Sequence, residues 1–458
     1  MDRHLCESMK KDKSLTTAPV PRLIRDLTVP VSIGMFFNTM YNVVDTWYAG
    51  LISTEALAAM SLSLPVFFII VSVGSGVSTG ATALIGNALG AEKDGEAALY
   101  AAQSLSFAVC ISLFLTYAGI ALAPFLFRVL GATEEYLRIC MAYMDMLFSG
   151  TVFFFMVYML KGILNALGDT RTYRNFLIIG FFLNIGLDPW FIFGGWGLPP
   201  MGVSGIALAT VTVQITGCVY LGREVYKCGL LSGKKLRDFL PNAAAFAEIS
   251  RQGFPAGLNI LTIALGVFII TWFVGRFGKE AVAAYGIGMR IEQIVLLPAI
   301  GLNTAVLTLV AQNYGAGLAE RVHESLRKSF FYGAVISFLG SLAVFFSAEQ
   351  MMKVFSDDPA VIDTGAAYLK IEALTLYAYV ILFISVAALQ GVKKPLFAVW
   401  IGIFRQILAP AAVFHLLTEV WPLGVKGIWW GIFAITWTAA LIAFFYSRKI
   451  IGEVTKNG

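Results

Sequence analysis

The chain has 458 residues, of which 58% are hydrophobic and 13% charged, and its mean hydropathy is +0.78. A water-soluble chain of this length needs about a quarter of its residues charged, so a soluble globular protein is excluded and the sequence reads as an all-α polytopic membrane protein. The formal net charge of +5 points to no nucleic-acid partner here; what matters is where the basic residues sit along the chain.

Residues 1–22 are polar and basic, with Lys10, Lys11, Lys13 and Arg22, and read as a cytoplasmic tail. Six apolar spans follow, at about Leu27–Tyr48, Ala56–Leu84, Ala97–Phe125, Tyr136–Leu160, Asn175–Phe193 and Gly202–Val225. A second six lie at about Phe254–Phe273, Val282–Val310, Ser329–Phe346, Tyr368–Leu389, Leu396–His415 and Ile428–Phe445. About twelve transmembrane helices are expected, in two parallel six-helix lobes at 23–226 and 249–447. A cytoplasmic linker at 227–248 joins them, and a cytoplasmic tail closes the chain at 448–458. Lys and Arg crowd the tails, the linker and the loops on that side. The opposite side holds Arg128, Arg138, Arg276, Lys279, Lys353 and Lys426, and only Arg290, Lys370 and Arg405 fall within spans. By the positive-inside bias both termini are cytoplasmic, as in a multi-pass protein of the plasma (inner) membrane.

The first span, LTVPVSIGMFFNTMYNVVDTWYAG, carries groups that are costly in lipid. On a helix Asn38, Tyr41 and Asp45 share one face, with Asn42 nearby, while Phe36, Phe37, Met40 and Val44 lie largely off it. Asn and Asp can serve only to join helices, but a charge within a span usually marks function. In the fifth span, NFLIIGFFLNIGLDPWFIFG, Asn184 and Asp188 are one turn apart on one face. Asp45 and Asp188 fall roughly 27 and 21 Å from the cytoplasmic edge at the helical rise, so the two carboxyls are expected at similar depth. Two buried acids sharing a site cannot both ionise cheaply, and such a pair holds a proton or a cation. The plainer reading is that Asp188, beside Pro189, closes its helix at the outer interface.

The two halves repeat one unit. Pro30 and Pro255, Trp47 and Trp272, Gly50 and Gly275, Glu55 and Glu280, Gly90 and Gly315, and Tyr143 and Tyr368 all pair at one shift of 225, which becomes 222 past the fifth span. An even number of spans per unit makes the copies parallel. Positions 45 and 188 become Ile270 and Val413, so these acids belong to the first copy alone. Asp145, Lys370 with Glu372, and Arg290 with Glu292 are weaker polar candidates. Cys6, Cys110, Cys140, Cys218 and Cys228 show no CxxC spacing and His4, His323 and His415 are scattered, so neither a disulfide framework nor a metal cluster of these types is expected. No cofactor is expected: GLLSGKK lacks the spacing and the hydroxyl of a phosphate-binding loop, which leaves an ion gradient as the energy source.

With its doubled six-span unit, the VP and FP of spans one and seven, and the VVDTWYAGLISTEALAA and NIGLDP runs, the chain resembles the multidrug and toxic compound extrusion (MATE) family, in its DinF-like branch, over about Leu23–Ser447. The resemblance implies an exporter of small, amphipathic, often cationic organic compounds that exchanges them for H⁺ or Na⁺ by alternating access. The coupling ion would fall on Asp45 and Asp188, assisted by Asn184, Tyr41 and Thr210. Were the ion Na⁺, Asp45, Asn184, Asp188 and Thr210 would be its ligands. Pro30 would be where the first helix bends, and Asn38, Asn42, Met40 and Phe37 are cavity candidates. The expected working unit is a monomer in the bilayer, and no enzyme. Two other readings stand beside this one. A lipid-linked saccharide flippase of the same superfamily would want more basic residues in its cavity. An intramembrane aspartyl protease would want GxGD where this chain has Gly186-Leu187-Asp188-Pro189.

Overall fold

The computed structural model describes residues 15–129, 131, 133–195 and 197–456; most of the basic tail, with Cys6 and His4, lies outside them. The first half folds as α1 (Val20–Ile52), α2 (Thr54–Gly90), α3 (Asp94–Val129), α4 (Glu134–Ser149), α5 (Thr151–Ala166), α6 (Arg171–Phe193) and α7 (Val203–Lys227). A 3-10 turn at Leu236–Phe239 leads to α8 (Ala243–Gly275), α9 (Lys279–Val295), α10 (Leu297–Gly315), α11 (Ala319–Lys353), α12 (Pro359–Ala373), α13 (Leu376–Gly391), α14 (Leu396–Ile403), α15 (Ala409–His415) and α16 (Val425–Lys456). Among the described residues nine helical stretches are long and apolar enough to cross a membrane. The pairs α4/α5, α9/α10 and α12/α13 are each bent by 46–50° at a short break, and counting each as one span gives twelve. The expected all-α, twelve-span architecture is what the chain adopts. α8 begins at Ala243, inside the stretch read as linker, because Ala243–Glu248 has helix-forming residues but no apolar period to betray them.

The breaks have local causes. α4 ends at Gly150, where a Cβ would lie 2.3 Å from Val211 Cγ2, so only glycine lets the chain turn against α7. α10 starts with Pro298 in its first turn, where the missing N–H is not needed. The eleventh span departs from α geometry twice, with π turns at Phe404–Leu408 and Leu416–Val420. The first of these delivers Ala409 N–H to Phe404 O, just ahead of Pro410, which can donate nothing.

The chain forms two compact units, and their division follows the repeat. One comprises Ile33–Gly257; the other comprises Leu15–Ser32 with Leu258–Gly458. Both internal boundaries fall two residues after a helix proline, Pro30 in α1 and Pro255 in α8, so each of these helices is shared out at the same repeat position. The packing of the shared ends also repeats. Within the first unit a Cβ on Gly76 of α2 would meet Gly257 N at 2.3 Å and Gly253 O at 2.7 Å. Within the second, a Cβ on Gly301 of α10 would meet Ser32 Oγ at 2.5 Å and Thr28 O at 2.6 Å. Lipid tails leave helices no hydrophobic reason to associate, and backbone approach through small residues supplies the dispersion contact instead. Hydroxyls add to it: Ser78 Oγ donates to Tyr158 O at 2.7 Å and Thr82 Oγ1 to Gly162 O at 3.0 Å, joining α2 to α5.

Gln103, near the start of α3, fastens the inter-helix segment of the first unit. Its Nε2 donates to Asp238 O and Leu240 O at 2.8 and 2.9 Å, and its Oε1 accepts from Asn242 N at 2.9 Å.

Candidate ion-coupling site

The polar face of α1 meets α6 and α7 inside the first unit. Asn184 Nδ2 donates to Asp45 Oδ1 at 3.0 Å, and Thr210 Oγ1 reaches Asp45 Oδ2 at 3.5 Å while also donating to Ile206 O at 3.1 Å. Asp188 lies one turn beyond Asn184 and is the electrostatic neighbour of Asp45. Asn184 and Asp188 are both 0% exposed and Asp45 only 5%, so three helices bring two carboxyls into one buried site. Tyr41 and Tyr143 face the same pair, with Tyr143 entering from α4. The five residues Tyr41, Asp45, Asn184, Asp188 and Thr210 therefore share a single environment.

Within that environment several polar atoms have no hydrogen-bond partner among the described residues. They are both oxygens of Asp188, Oδ1 of Asn184 and Oη of Tyr41. A buried polar atom left unpaired costs about 1–3 kcal/mol, more for a charged group. Four such atoms around one pair of acids fit a proton held between carboxyls. They equally fit a hard cation, for which carboxylate, amide and hydroxyl oxygens are the suitable donors. Asp45, Asp188, Asn184 Oδ1 and Thr210 Oγ1 supply that donor set.

Asp188 does not end its helix, as the plainer reading had it: α6 continues through Pro189 to Phe193. Pro189 withholds the N–H that Ile185 O would otherwise receive, and Tyr48 Oη of α1 donates to that carbonyl at 3.3 Å. One proline thus ties α6 to α1 next to the acids. Close approach of α6 and α7 is set by Gly205, whose Cβ would lie 2.7 Å from the Phe191 backbone. Sequence reasoning missed Tyr48 and Tyr143. Tyr143 recurs as Tyr368 in the second copy, so it reads as a packing residue, and the role of Tyr48 depends on a carbonyl freed in another helix.

The remaining candidates are placed as follows. Pro30 lies inside the unbroken α1, at the point where that helix passes from one compact unit to the other. Phe37 packs edge-on against Phe36 and Phe181, with ring centroids 5.7 and 5.5 Å apart. Asn42 is exposed and donates to Asn38 O at 2.8 Å, while Asn38 and Met40 are half-buried. Arg290 and Glu292 form no ion pair among the described residues: Arg290 is exposed, and Glu292 accepts from Tyr368 Oη at 2.7 Å. Asp145 and Lys370 are both exposed.

In the second copy the positions corresponding to Tyr41, Asp45, Asn184, Asp188 and Thr210 are Gly266, Ile270, Ala409, Val413 and Ile432. All five are apolar, and Ile270, Ala409, Val413 and Ile432 belong to or pack on the second unit's core. The fold therefore does not require polar groups there.

Comparison with known proteins points one way. The family described as MatE is matched over residues 30–190 and 255–413, one match in each copy. The chain is 29% identical over 441 residues to "Probable multidrug resistance protein NorM" of Thermotoga maritima, covering 94% of both chains. It is 26% identical over 452 residues to a protein of Shewanella oneidensis named "FAD transporter", covering 98% of both. Among solved structures, an outward-facing multidrug resistance MATE family transporter of the MOP superfamily superposes with a TM-score of 0.89. That match covers 97% of this chain and 99% of the other at 24% identity, a likeness of fold.

Proposed function

The chain belongs to the MatE family, and from that premise we propose that it is a cation-coupled antiporter that exports amphipathic, often cationic, organic compounds by alternating access. It is a multi-pass membrane transporter, on this reading in the plasma membrane as a monomer with both termini cytoplasmic. The observation that carries the coupling step is the convergence of Asp45, Asn184, Asp188 and Thr210 from three helices, with Asp188 unpaired in a buried site. Entry of H⁺ or Na⁺ offsets one negative charge of the acid pair. That removes the need for Asn184 and Thr210 to hold Asp45 in one position, and frees α1 to change its bend at Pro30. An ion moves such an equilibrium only through its different affinity for the two states, and a buried carboxyl pair supplies a large difference because desolvation weighs on its charged form alone.

The test is counter-transport in proteoliposomes under imposed proton or sodium gradients, with a fluorescent cationic dye as cargo in one arm and FAD in the other. Gradient-driven accumulation is expected for one ion, with loss of ion dependence in D45N and D188N. Unchanged ion dependence in D45N would refute the assignment. Transport of FAD but not dye would keep the coupling site and correct the cargo.

A further inference from the structure

The first unit also carries a cation with no counter-charge. Lys161, which hydropathy puts just past the fourth span, lies inside α5, more than a turn before its end at Ala166. A lysine near the end of a span ordinarily reaches along its stem toward the headgroups. This one lies against two rings instead. Its Nζ is 4.7 Å from the centroid of Tyr173, at the start of α6, and 5.9 Å from that of Tyr158, one turn back on α5. Gly74 of α2 seats the second ring, since a Cβ there would lie 2.6 Å from Tyr158 Cδ2. Phe176, with its centroid 5.9 Å from that of Tyr173, extends the aromatic face along α6.

The polar ends of these three residues can all donate, and none has an acceptor. Lys161 makes no ion pair or hydrogen bond among the described residues, and the hydroxyls of Tyr158 and Tyr173 make no hydrogen bond among them either. The acid nearest to Lys161 in the chain, Asp169, is engaged at the start of α6, where it accepts from Arg171 N at 3.0 Å and Thr172 N at 3.1 Å. All three residues are half-buried, so a ligand can reach them. An ammonium beside two phenol hydroxyls is a donor set suited to the oxygens of a carboxylate or phosphate.

The second copy has the same scaffold without the donors. Ser78 Oγ donates to Tyr158 O at 2.7 Å, and at the same repeat position Asn303 Nδ2 donates to Phe383 O at 3.0 Å. Tyr158, Lys161 and Tyr173 become Phe383, Val386 and Ala398. Helix packing therefore needs none of the three polar groups, and they occur together only in the copy that holds Asp45 and Asp188.

We propose that Lys161, Tyr158 and Tyr173 form a cargo subsite in the first unit that takes the carboxylate or phosphate of an aromatic organic anion. The inference rests on the export reading and specifies a class of cargo for it. The anionic group pairs with the ammonium and the phenol hydroxyls, and the attached ring lies on the tyrosines. Half-burial strengthens the pairing, because charges attract more strongly at a dielectric below that of bulk water.

The experiment is fluorescence anisotropy of fluorescein, an aromatic carboxylate, with purified full-length protein in detergent and no ion gradient. Rhodamine 6G, a cationic ester on the same ring system, is the control. K161M is expected to bind fluorescein at least about tenfold more weakly than the unmodified chain, with rhodamine 6G changed by less than about twofold. K161R, which keeps the charge, is expected to fall between the two. Y158F/Y173F keeps the rings and removes the hydroxyl donors; it is expected to weaken fluorescein severalfold, and it gives a second reading should K161M not be recovered folded. Phenyl phosphate is expected to displace fluorescein. The proposal is overturned if the unmodified chain does not bind fluorescein, if K161M binds it as the unmodified chain does, if K161R is as weak as K161M, or if K161M loses both dyes alike. Displacement by dihexanoyl phosphatidylglycerol and not by phenyl phosphate would assign the site to a lipid headgroup and overturn the cargo reading. No gradient enters this readout, so failure here leaves the D45N test of coupling standing, and failure of that test leaves this binding intact.

Discussion

Replacing Asn184 by alanine tests the coupling site at its best-defined contact. Asn184 is fully buried and donates to Asp45 Oδ1 at 3.0 Å. A hydrogen bond to a charged group contributes about 1.5–3 kcal/mol. At about 1.4 kcal/mol per tenfold, its loss is expected to change the concentration of the coupling ion, H⁺ or Na⁺, that half-activates transport by about 10–100-fold. The assay is the initial rate of dye counterflow in proteoliposomes across a concentration series of each ion, with D45N as the uncoupled reference. N184A with full activity and unmoved half-activation for both ions would show that Asp45 does not hold the coupling ion.

Four further outcomes follow from the packing and the bends. Y48F removes the donor to Ile185 O beside Pro189 and is expected to cost about 1 kcal/mol, read as a lower unfolding midpoint with fold intact. G76A forces a Cβ to within 2.3 Å of the Gly257 backbone and is expected to lose about 1–3 kcal/mol or more, whereas G50A, with nothing within 4 Å, is expected to be neutral or slightly stabilising in the same melt. P30A restores a helix donor in α1 and is expected to slow exchange between conformations, seen as reduced transport with unchanged cargo binding. P255A, at the matching position in α8, is expected to do the same, and an effect confined to P30A would show that the second shared helix does not bend.

Much of this was legible in the chain. The spans and the doubled unit follow from hydropathy and a constant shift, because a bilayer imposes helix length directly. Asn184 and Asp188 could be placed on one face by helical spacing alone, and Asp45 opposite them by depth. What the sequence hid depends on where one helix's backbone meets another's side chain. The pairing of Tyr48 with the carbonyl freed by Pro189 is one example. The Glu292–Tyr368 bond joins residues 76 apart, and local patterning suggested Arg290 as the partner instead. The π turns around Arg405 change no residue type that a periodicity would register. The passage of α1 from one compact unit to the other at Pro30 is likewise invisible to a reading that assigns whole helices to lobes.

The most direct measurement is ion release on cargo binding. Coupling through a shared site is reciprocal, so a cargo that favours the ion-free state must expel the ion. With purified protein in weakly buffered detergent solution, a pH indicator or a sodium-selective probe reads that release as cargo is added. The unmodified chain is predicted to release the ion in proportion to cargo bound, and D45N/D188N to bind cargo and release none. Equal release from D45N/D188N would place the exchange outside the pocket formed by α1, α6 and α7.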